Sequence, residues 1–259
     1  MRPTDPIARA QARRQLGTLV DRLTLPADEP SPCPYLPDRK ARFVYLRPRR
    51  LGPGVYHLLM DLNFRRLGGV VYRPACDACR ECRQLRLPVA RFRPSRAQRR
   101  CLRRNADVAV AWGAPEATAE KHDVYRRYLR ARHRGQMTGD WEELADGLYE
   151  APPLAHEVVY RVEGRLLGAG IVDVEPEAMS AVYFYFDPDL ADRSPGTLNV
   201  LAMVEECSRR GIPWLYLGYH VADSPNMSYK AAFRPHELLD DDGVWRDGRD
   251  RATAVRPRG

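Results

Sequence analysis

The sequence predicts a mixed protein of the α+β class, and three observations support this. Apolar runs at residues 157–162, 166–174 and 180–186 follow one another at short intervals, as neighbouring strands of a sheet do. Amphipathic stretches with the period of a helix lie before and after these runs. The chain has 259 residues, which is long enough to bury a substantial core in one domain or two.

The N-terminal region, residues 1–110, is predicted to be an α/β unit that contains a cysteine cluster and a basic helix. Its first helix carries Leu16, Leu19, Val20 and Leu23 at helical spacing, and a proline-rich hinge at residues 26–37 follows. The later elements are predicted as a strand at 42–46, a helix at 54–66 closed by Gly68 and Gly69, a short strand at 70–72, an extended segment at 85–92 and a helix from Ser95 to Asn105.

The C-terminal region, residues 111–259, follows a different plan. Its elements are predicted as a strand at 107–112 leading in, helices at 115–133 and 140–150, the three apolar strands, a loop at 187–196, a helix at 197–210 and a strand at 214–219. This β-β-β-loop-α-β order is the plan of the GNAT N-acyltransferase fold. The sequence therefore predicts a GNAT-like acyltransferase domain with the N-terminal region packed on it.

Arginine supplies nearly all of the positive charge. The formal net charge is +8, the isoelectric point is about 9.3, and only Lys40, Lys121 and Lys230 are lysines. This charge favours an anionic partner, although a base-composition bias of the genome would also enrich arginine. Clustering is the better sign, because nine arginines and no acidic residue lie between Arg83 and Arg104.

The predicted helix at residues 95–105 concentrates this charge on one face. Arg96, Arg99, Arg100 and Arg103 follow the i, i+3, i+4, i+7 spacing, and Arg104 comes next. An ordinary solvated face would mix acidic residues with them. The pattern therefore favours a surface that binds the phosphates of a nucleic acid.

Three cysteines, Cys76, Cys79 and Cys82, have C-x-x-C-x-x-C spacing, which is typical of a soft-metal or redox cluster. The alternative is that the thiols only pack. Disulfides are not expected, because the start of the chain lacks a signal peptide and no apolar run approaches the ~20 residues of a membrane span, so a cytoplasmic location is predicted.

Two further segments carry candidate site residues. The loop from Arg193 through Gly196 to Leu198 half-matches the pyrophosphate-binding loop of the GNAT class. Pro195 and Leu198 disfavour an acyl-coenzyme A donor and leave open another phosphate-bearing donor or a plain capping loop. At the end of the strand at 214–219 and just beyond it, Tyr and Lys side chains could stabilise an oxyanion or move a proton, although such tyrosines also serve as packing residues.

In these features the sequence resembles the bacterial aminoacyl-tRNA–protein transferases called aspartate/glutamate leucyltransferases, which are related to the eukaryotic arginyltransferases. The matching segments run in the family's order over residues 33–245. They are Cys33-Pro34-Tyr35-Leu36, Phe64-Arg65-Arg66-Leu67-Gly68, Tyr72-Arg73-Pro74 with the three cysteines, Arg99-Arg100 through Asn105, Tyr128-Leu129 with Arg132-His133, Ser180 with Val182-Tyr183, Tyr216-Leu217-Gly218-Tyr219, Met227 with Tyr229-Lys230, and Phe233-Arg234-Pro235.

The resemblance implies transfer of leucine from Leu-tRNA to the N-terminal α-amine of proteins that begin with Asp or Glu, which marks them for the N-degron pathway. The ester is already activated, so no cofactor is required. The eukaryotic relatives have an N-terminal cysteine cluster associated with metal binding, so the resemblance also implies that Cys33 would join Cys76, Cys79 and Cys82 in a set of four thiolates for zinc or an iron–sulfur cluster. An arginyl-tRNA donor, a non-catalytic tRNA-binding protein and an acyl-coenzyme A enzyme are the alternatives. The implied roles are tRNA binding by Arg96, Arg99, Arg100, Arg103, Arg104, Arg193 and Gly196, acceptor binding by Arg65 and Arg66, and catalysis by Tyr183, Tyr216, Tyr219 and Lys230.

The chain also departs from the family at two positions beside the candidate acceptor residues. The family usually has Gly at the position of Asn63 and Ser at the position of Leu67. Its loop usually reads Ser-Leu-Gly-Thr-Tyr where this chain has residues 194–198. These changes bear most on the identity of the donor.

Overall fold

The computed structural model describes residues 5–132, 138–150, 152 and 154–248. Short 3-10 turns span Val89–Arg91, Pro188–Arg193 and Tyr229–Ala232, and one π-helical turn spans Ala145–Tyr149. The helices are α1 (Pro6–Asp21), α2 (Val55–Met60), α3 (Arg96–Arg104), α4 (Ala119–Arg132), α5 (Trp141–Leu144), α6 (Pro195–Arg210) and α7 (Pro225–Ser228). The strands are β1 (Ser31–Pro32), β2 (Lys40–Ala41), β3 (Phe43–Leu46), β4 (Arg65–Leu67), β5 (Val70–Pro74), β6 (Arg83–Pro88), β7 (Ala109–Gly113), β8 (Ala155–Val162), β9 (Arg165–Glu175), β10 (Ala178–Phe186), β11 (Trp214–His220), β12 (Glu237–Leu239) and β13 (Trp245–Asp247).

Eight strands form one sheet in the order β13-β12-β6-β11-β10-β9-β8-β7. Neighbouring strands are antiparallel except for β10 and β11, which are parallel. This mixed sheet with helices confirms the predicted α+β class. Strand β6 belongs to the N-terminal region and lies between β12 and β11, so strands from both sides of residue 110 share the sheet. The division of the chain at residue 110 stays a prediction.

The two faces of the large sheet are covered by different elements. Met179 and Leu215 point to one face, where they share a core with Leu198 of α6 and Cys101 of α3. Alternate side chains of a strand point to opposite faces. The next residues, such as Tyr216, accordingly point to the other face, which α1, α2, α4 and a three-stranded sheet cover.

The three-stranded sheet has the order β3-β5-β4. Val71 on its inner face belongs to the buried cluster that also contains Tyr56 of α2 and Tyr216 of β11. This packing places β4, and with it Arg65, against the middle of the large sheet.

Two buried carboxylates of β9 anchor this small sheet and α2. Asp173 accepts hydrogen bonds from Arg66 Nε at 2.8 Å and from Arg66 Nη2 at 2.6 Å, and both side chains are almost fully buried. Glu175 accepts from the backbone N–H groups of Gly54 and Tyr56 at the start of α2. A carboxylate at a helix N-terminus is favoured by the helix dipole. These contacts fix the backbone of β4 relative to the large sheet.

The observed elements follow the predicted order with local differences. The helix predicted at 54–66 ends at Met60, because Asn63 adopts a left-handed backbone with φ 65° and the chain then turns into β4. The helix predicted at 197–210 begins two residues earlier with Pro195, a residue that fits the first helical position. The predicted N-cap Ser95 is confirmed as part of a capping box with Gln98. The predicted end of a helix at His133 lies outside the described residues.

Candidate active site

The parallel strands β10 and β11 pair over a short stretch and then separate. Their register runs from Ala178 opposite Trp214 to Ser180 opposite Tyr216. Just beyond this point, β10 has a register irregularity against β9 and β11 has one against β6. Irregularities of this kind bend a strand and increase its twist. The sheet therefore opens into a split between β10 and β11, and backbone groups of β10 are exposed there.

Arg65 of β4 fills this split. Its Nη2 donates to the carbonyl oxygens of Ala181 at 2.8 Å and Val182 at 3.2 Å, and its guanidinium lies 5.6 Å from the ring centre of Tyr219. On the β11 side the guanidinium contacts Gly218, where a Cβ would lie only 2.2 Å from Arg65 Nη1. Gly218 also has φ 75°, so both the space and the backbone conformation require glycine.

The Arg65 guanidinium has no matching anion. The side chain is about nine-tenths buried, and its Nε has no hydrogen-bond partner. No carboxylate of the described residues lies within ion-pair distance of it, whereas Arg66 beside it is fully engaged by Asp173. A buried charge without a counter-charge costs free energy. The split therefore presents a site that favours an anionic group.

Phenol groups surround this cation. Burial raises the pKa values of Tyr35 and Tyr219, and the nearby charge of Arg65 opposes that rise. Burial also raises the pKa of Tyr229, and the charge of Arg65 opposes that rise as well. These tyrosines are neutral at physiological pH, so they leave the charge of Arg65 uncompensated.

Lys230 lies at the same edge of the split. Its Nζ donates to the carbonyl oxygen of Tyr219 at 2.6 Å and lies 3.3 Å from the Met227 sulfur. Burial, and then the charge of Arg65, lower the pKa of Lys230 well below its ordinary value. A lowered pKa favours the neutral amine, which is the form that accepts a proton.

The predicted catalytic tyrosines occupy different environments. The Tyr216 hydroxyl donates to Asp61 Oδ1 at 2.6 Å in a buried network with His57 Nε2 at 3.1 Å and Arg86 Nη1 at 3.3 Å. The Tyr219 hydroxyl donates to the carbonyl oxygen of Asn63 at 2.9 Å. Both side chains are fully buried, so the structure does not bring these two hydroxyls into the open part of the split.

The hydroxyl of Tyr183 lies in a different environment from those of Tyr216 and Tyr219. It lies on β10 beyond the point of separation, and its ring packs edge-on against Tyr125 with 6.2 Å between centres. Its oxygen is buried, and the polar group beside it is the Tyr125 hydroxyl. Of the three predicted catalytic tyrosines, Tyr183 is the one whose hydroxyl is bonded to neither a carboxylate nor a backbone carbonyl of the described chain.

Arg65 and Arg66, which were predicted to bind the acceptor, also lie in different environments. Arg66 donates to both oxygens of Asp173 and to the carbonyl oxygen of Gly68, and is only 2% exposed. Its guanidinium is therefore occupied by the fold. Within the described chain Arg65 retains bonding capacity that Arg66 lacks, which favours Arg65 for this role. The acceptor-binding role predicted for the two arginines stays a prediction.

The arginine helix α3 lies on the opposite face of the large sheet and is connected to the Lys230 turn. Gln98 Nε2 of α3 donates to the carbonyl oxygen of Ala232, in the turn that carries Lys230. All the arginines of α3 are exposed, and Arg96, Arg100 and Arg103 make no ion pair or hydrogen bond with other described residues. Such a stripe of unpaired cations suits a polyanion.

The loop before α6 is placed beside α3, but its arginine is engaged. Arg193 donates to both carboxylate oxygens of Asp107 at 2.9 Å. The backbone at Gly196 is open, because a Cβ there would meet no atom within 4 Å. The phosphate-binding roles predicted for Arg193 and Gly196 stay predictions.

The metal site predicted at the cysteines stays a prediction. Cys33, Cys76, Cys79 and Cys82 are free and half-buried, and the Cys79 sulfur accepts a hydrogen bond from Arg39 at 3.1 Å. Burial, followed by the proximity of the other three thiols, raises the pKa of Cys82 to about 12. Among the residues that the structure describes, no three His, Cys, Asp or Glu side chains are arranged to hold a metal ion.

Sequence reasoning did not name Gly218 as a site residue, and it noted Asn63 only as a departure from the family beside the candidate acceptor residues. A glycine inside a strand is a signal of close approach by another group, and here that group is Arg65. Asn63 has a left-handed backbone, its Nδ2 donates to the carbonyl oxygen of Cys82, and its own carbonyl oxygen accepts from Tyr219. Asparagine tolerates this conformation better than most residues, which explains how it replaces glycine.

The chain matches one family of known proteins over most of its length. Residues 31–100 match the N-terminal model and residues 120–240 the C-terminal model of arginine-tRNA-protein transferase. The aspartate/glutamate leucyltransferase of Halorhodospira halophila is 44% identical over 230 residues, which are 87% of this chain and 97% of that protein. The chain belongs to the aminoacyl-tRNA–protein transferase family. The aspartate/glutamate leucyltransferase of Pseudomonas paraeruginosa is 39% identical, over 86% of this chain and 96% of the relative.

Solved structures resemble this transferase only distantly. A GCN5-related N-acetyltransferase from Kribbella flavida has 12% identity and a TM-score of 0.34, over 73% of this chain and 64% of that chain. The C-terminal domain of a lysylphosphatidylglycerol synthetase from Agrobacterium fabrum has 15% identity and a TM-score of 0.43, over 66% and 53%. In the described part of the transferase, no helix is long and apolar enough to cross a membrane.

Replacing Gly218 by Ala should displace Arg65 from the split, because the added methyl group would overlap the guanidinium and strain the left-handed backbone. We expect a loss of stability of about 1–3 kcal/mol, measured by denaturant unfolding. Gly113→Ala is the matched control, since a Cβ there meets no atom within 4 Å. Equal stability of the two variants would contradict the tight contact between Gly218 and Arg65.

Proposed function

We propose that this protein transfers leucine from Leu-tRNA to the N-terminal α-amine of proteins that begin with Asp or Glu, as the names of its curated relatives indicate for them. The observation that carries the proposal is the buried Arg65 guanidinium, which has free bonding capacity and no anion. The acidic side chain of the acceptor would supply that anion, because Arg recognises carboxylates with parallel hydrogen bonds. An amide side chain would leave the charge unpaired.

The two substrates would approach the split from opposite faces of the large sheet. The unpaired arginines of α3 would hold tRNA phosphates, and Gln98 connects that helix to the turn carrying Lys230. The acceptor would enter from the face covered by the three-stranded sheet, where Arg65 originates. The ester carbon and the amine would then meet between β10 and β11.

The reaction needs positioning and a proton acceptor. The acceptor's α-ammonium loses a proton, its nitrogen attacks the ester carbonyl carbon, and a C–N bond forms. The bond from that carbon to the ribose oxygen breaks, and the ribose oxygen takes up the second proton, which the attacking nitrogen loses as the amide forms. Lys230 is our candidate for receiving the first proton, because burial favours its neutral form. Tyr183, whose hydroxyl is bonded to neither a carboxylate nor a backbone carbonyl of the described chain, is our candidate for stabilising the oxyanion.

A transfer assay with separately charged tRNAs tests this function. Leucine should appear on peptides that begin with Asp or Glu and not on matched peptides that begin with Asn or Gln. Transfer of arginine alone would identify the runner-up donor and overturn the leucyl assignment. Absence of transfer from every charged tRNA, with tRNA binding intact, would overturn the enzymatic proposal in favour of a tRNA-binding protein.

The arginine stripe is tested by the double change Arg100→Glu with Arg103→Glu. Both side chains are unpaired in the described structure, so their loss should remove phosphate contacts without breaking the fold. We expect weaker tRNA binding and a salt dependence whose slope is smaller by about 2, measured by titration at several salt concentrations.

The matched control changes Arg49→Glu with Arg50→Glu, two exposed arginines outside α3. This variant has the same change in net charge. If both double variants lose tRNA affinity equally, general charge and not the stripe governs binding.

A further inference from the structure

The outward face of the three-stranded sheet forms an apolar and aromatic surface that leads to Arg65. Arg65 is opposite Tyr72, which is in turn opposite Tyr45, so the three side chains form a row across the sheet. Leu67 and Val70 form a parallel row beside it. Side chains in register across strands lie on the same face. This surface therefore has a buried cation at one end and apolar groups along its length.

The surface is the floor of an open cavity of about 1020 Å³. The segment before β1 and the loop after it supply the other walls through Leu25, Pro26 and Tyr35. Leu67 is 43% exposed, which is unusual for a leucine in a strand beside a functional group. Apolar surface of this kind is a signal of a binding site.

We propose that this cavity receives the second and third residues of the acceptor protein and favours apolar or aromatic side chains there. The inference rests on the proposed function, because it takes the acidic first residue to be bound at Arg65. An acceptor polypeptide whose first residue is bound at Arg65 extends away from that residue. The cavity begins at Tyr72, the cross-strand partner of Arg65, and so lies next to the bound first residue.

The dimensions agree with this occupant. Neighbouring strands lie about 4.8 Å apart and an extended residue spans about 3.3 Å. The row from Arg65 across Tyr72 to Tyr45 thus covers two strand spacings, which matches about three residues of an extended chain. The first residue would occupy the split and the next two would lie over the sheet.

The cavity lies away from the arginine stripe of α3, the surface proposed to bind the donor tRNA. The arginine stripe of α3 lies on the opposite face of the large sheet, where α3 shares a core with α6. The cavity is on the face covered by the three-stranded sheet. Its lining includes Asp28, whose carboxylate accepts a hydrogen bond from the Tyr45 hydroxyl, and one arginine, Arg47. The rest of the lining is apolar or aromatic, which suits apolar acceptor side chains.

A peptide series tests the proposal on the full-length protein. Peptides that begin Glu-Leu or Glu-Phe should have an acceptor KM about 5- to 20-fold lower than peptides that begin Glu-Ser, with kcat nearly unchanged, because partial burial of one apolar side chain contributes uniform binding. Equal KM values for these peptides would overturn the inference while leaving the transferase function intact. Absence of labelling of every Glu peptide would instead contradict the function itself.

The variant Leu67→Ser links the preference to the cavity. It should reduce the difference between Glu-Leu and Glu-Ser peptides to less than about threefold, without changing tRNA binding. Val244→Ser is the matched control, because Val244 is similarly exposed at 46% and lies outside the cavity. An undiminished preference in Leu67→Ser would overturn the assignment of the cavity.

Discussion

The Arg65 guanidinium lies where the sheet opens, with no anion beside it in the described part of the chain. Desolvating a cation costs several kcal/mol unless a counter-charge is provided. Two backbone carbonyls, the ring of Tyr219 and the bare backbone of Gly218 keep the group in place without neutralising it. The buried charge of Arg65 therefore remains uncompensated in the free protein. Under the proposed function an acidic acceptor would compensate it, and the cost of burying this charge would select the substrate.

The surrounding fold serves to hold that cation in position. Arg66, the next residue, is fixed by Asp173, while Glu175 anchors the start of α2. Arg66 therefore completes a buried ion pair, whereas the adjacent Arg65 has no counter-charge within the described chain. Breaking the ion pair would leave a second uncompensated charge and would also release β4. The large sheet separates the arginine stripe of α3 from the three-stranded sheet, so under the proposed function the two substrates would meet at the split.

The sequence predicted the class, the order of the elements and the arginine helix, because these depend on local periodicity and capping at residues such as Ser95. It also named Arg65 and Lys230 as candidate site residues, and their roles stay predictions. It did not distinguish Arg65 from Arg66, because the partner of Arg66 is more than a hundred residues away at Asp173. The same limit applies to Tyr216, whose hydroxyl donates to Asp61 at the C-terminal end of α2. The cysteine spacing indicated a metal site, which also stays a prediction.

The most direct measurement compares kcat/KM for Glu and Gln acceptor peptides in the wild-type protein and in Arg65→Gln. If Arg65 pairs with the acceptor carboxylate, the wild type should prefer Glu by about 10- to 100-fold, since a hydrogen bond to a charged group contributes about 1.5–3 kcal/mol. The variant should lose most of that preference while tRNA affinity and folding stability are retained. A variant that still prefers Glu as strongly as the wild type would contradict the account.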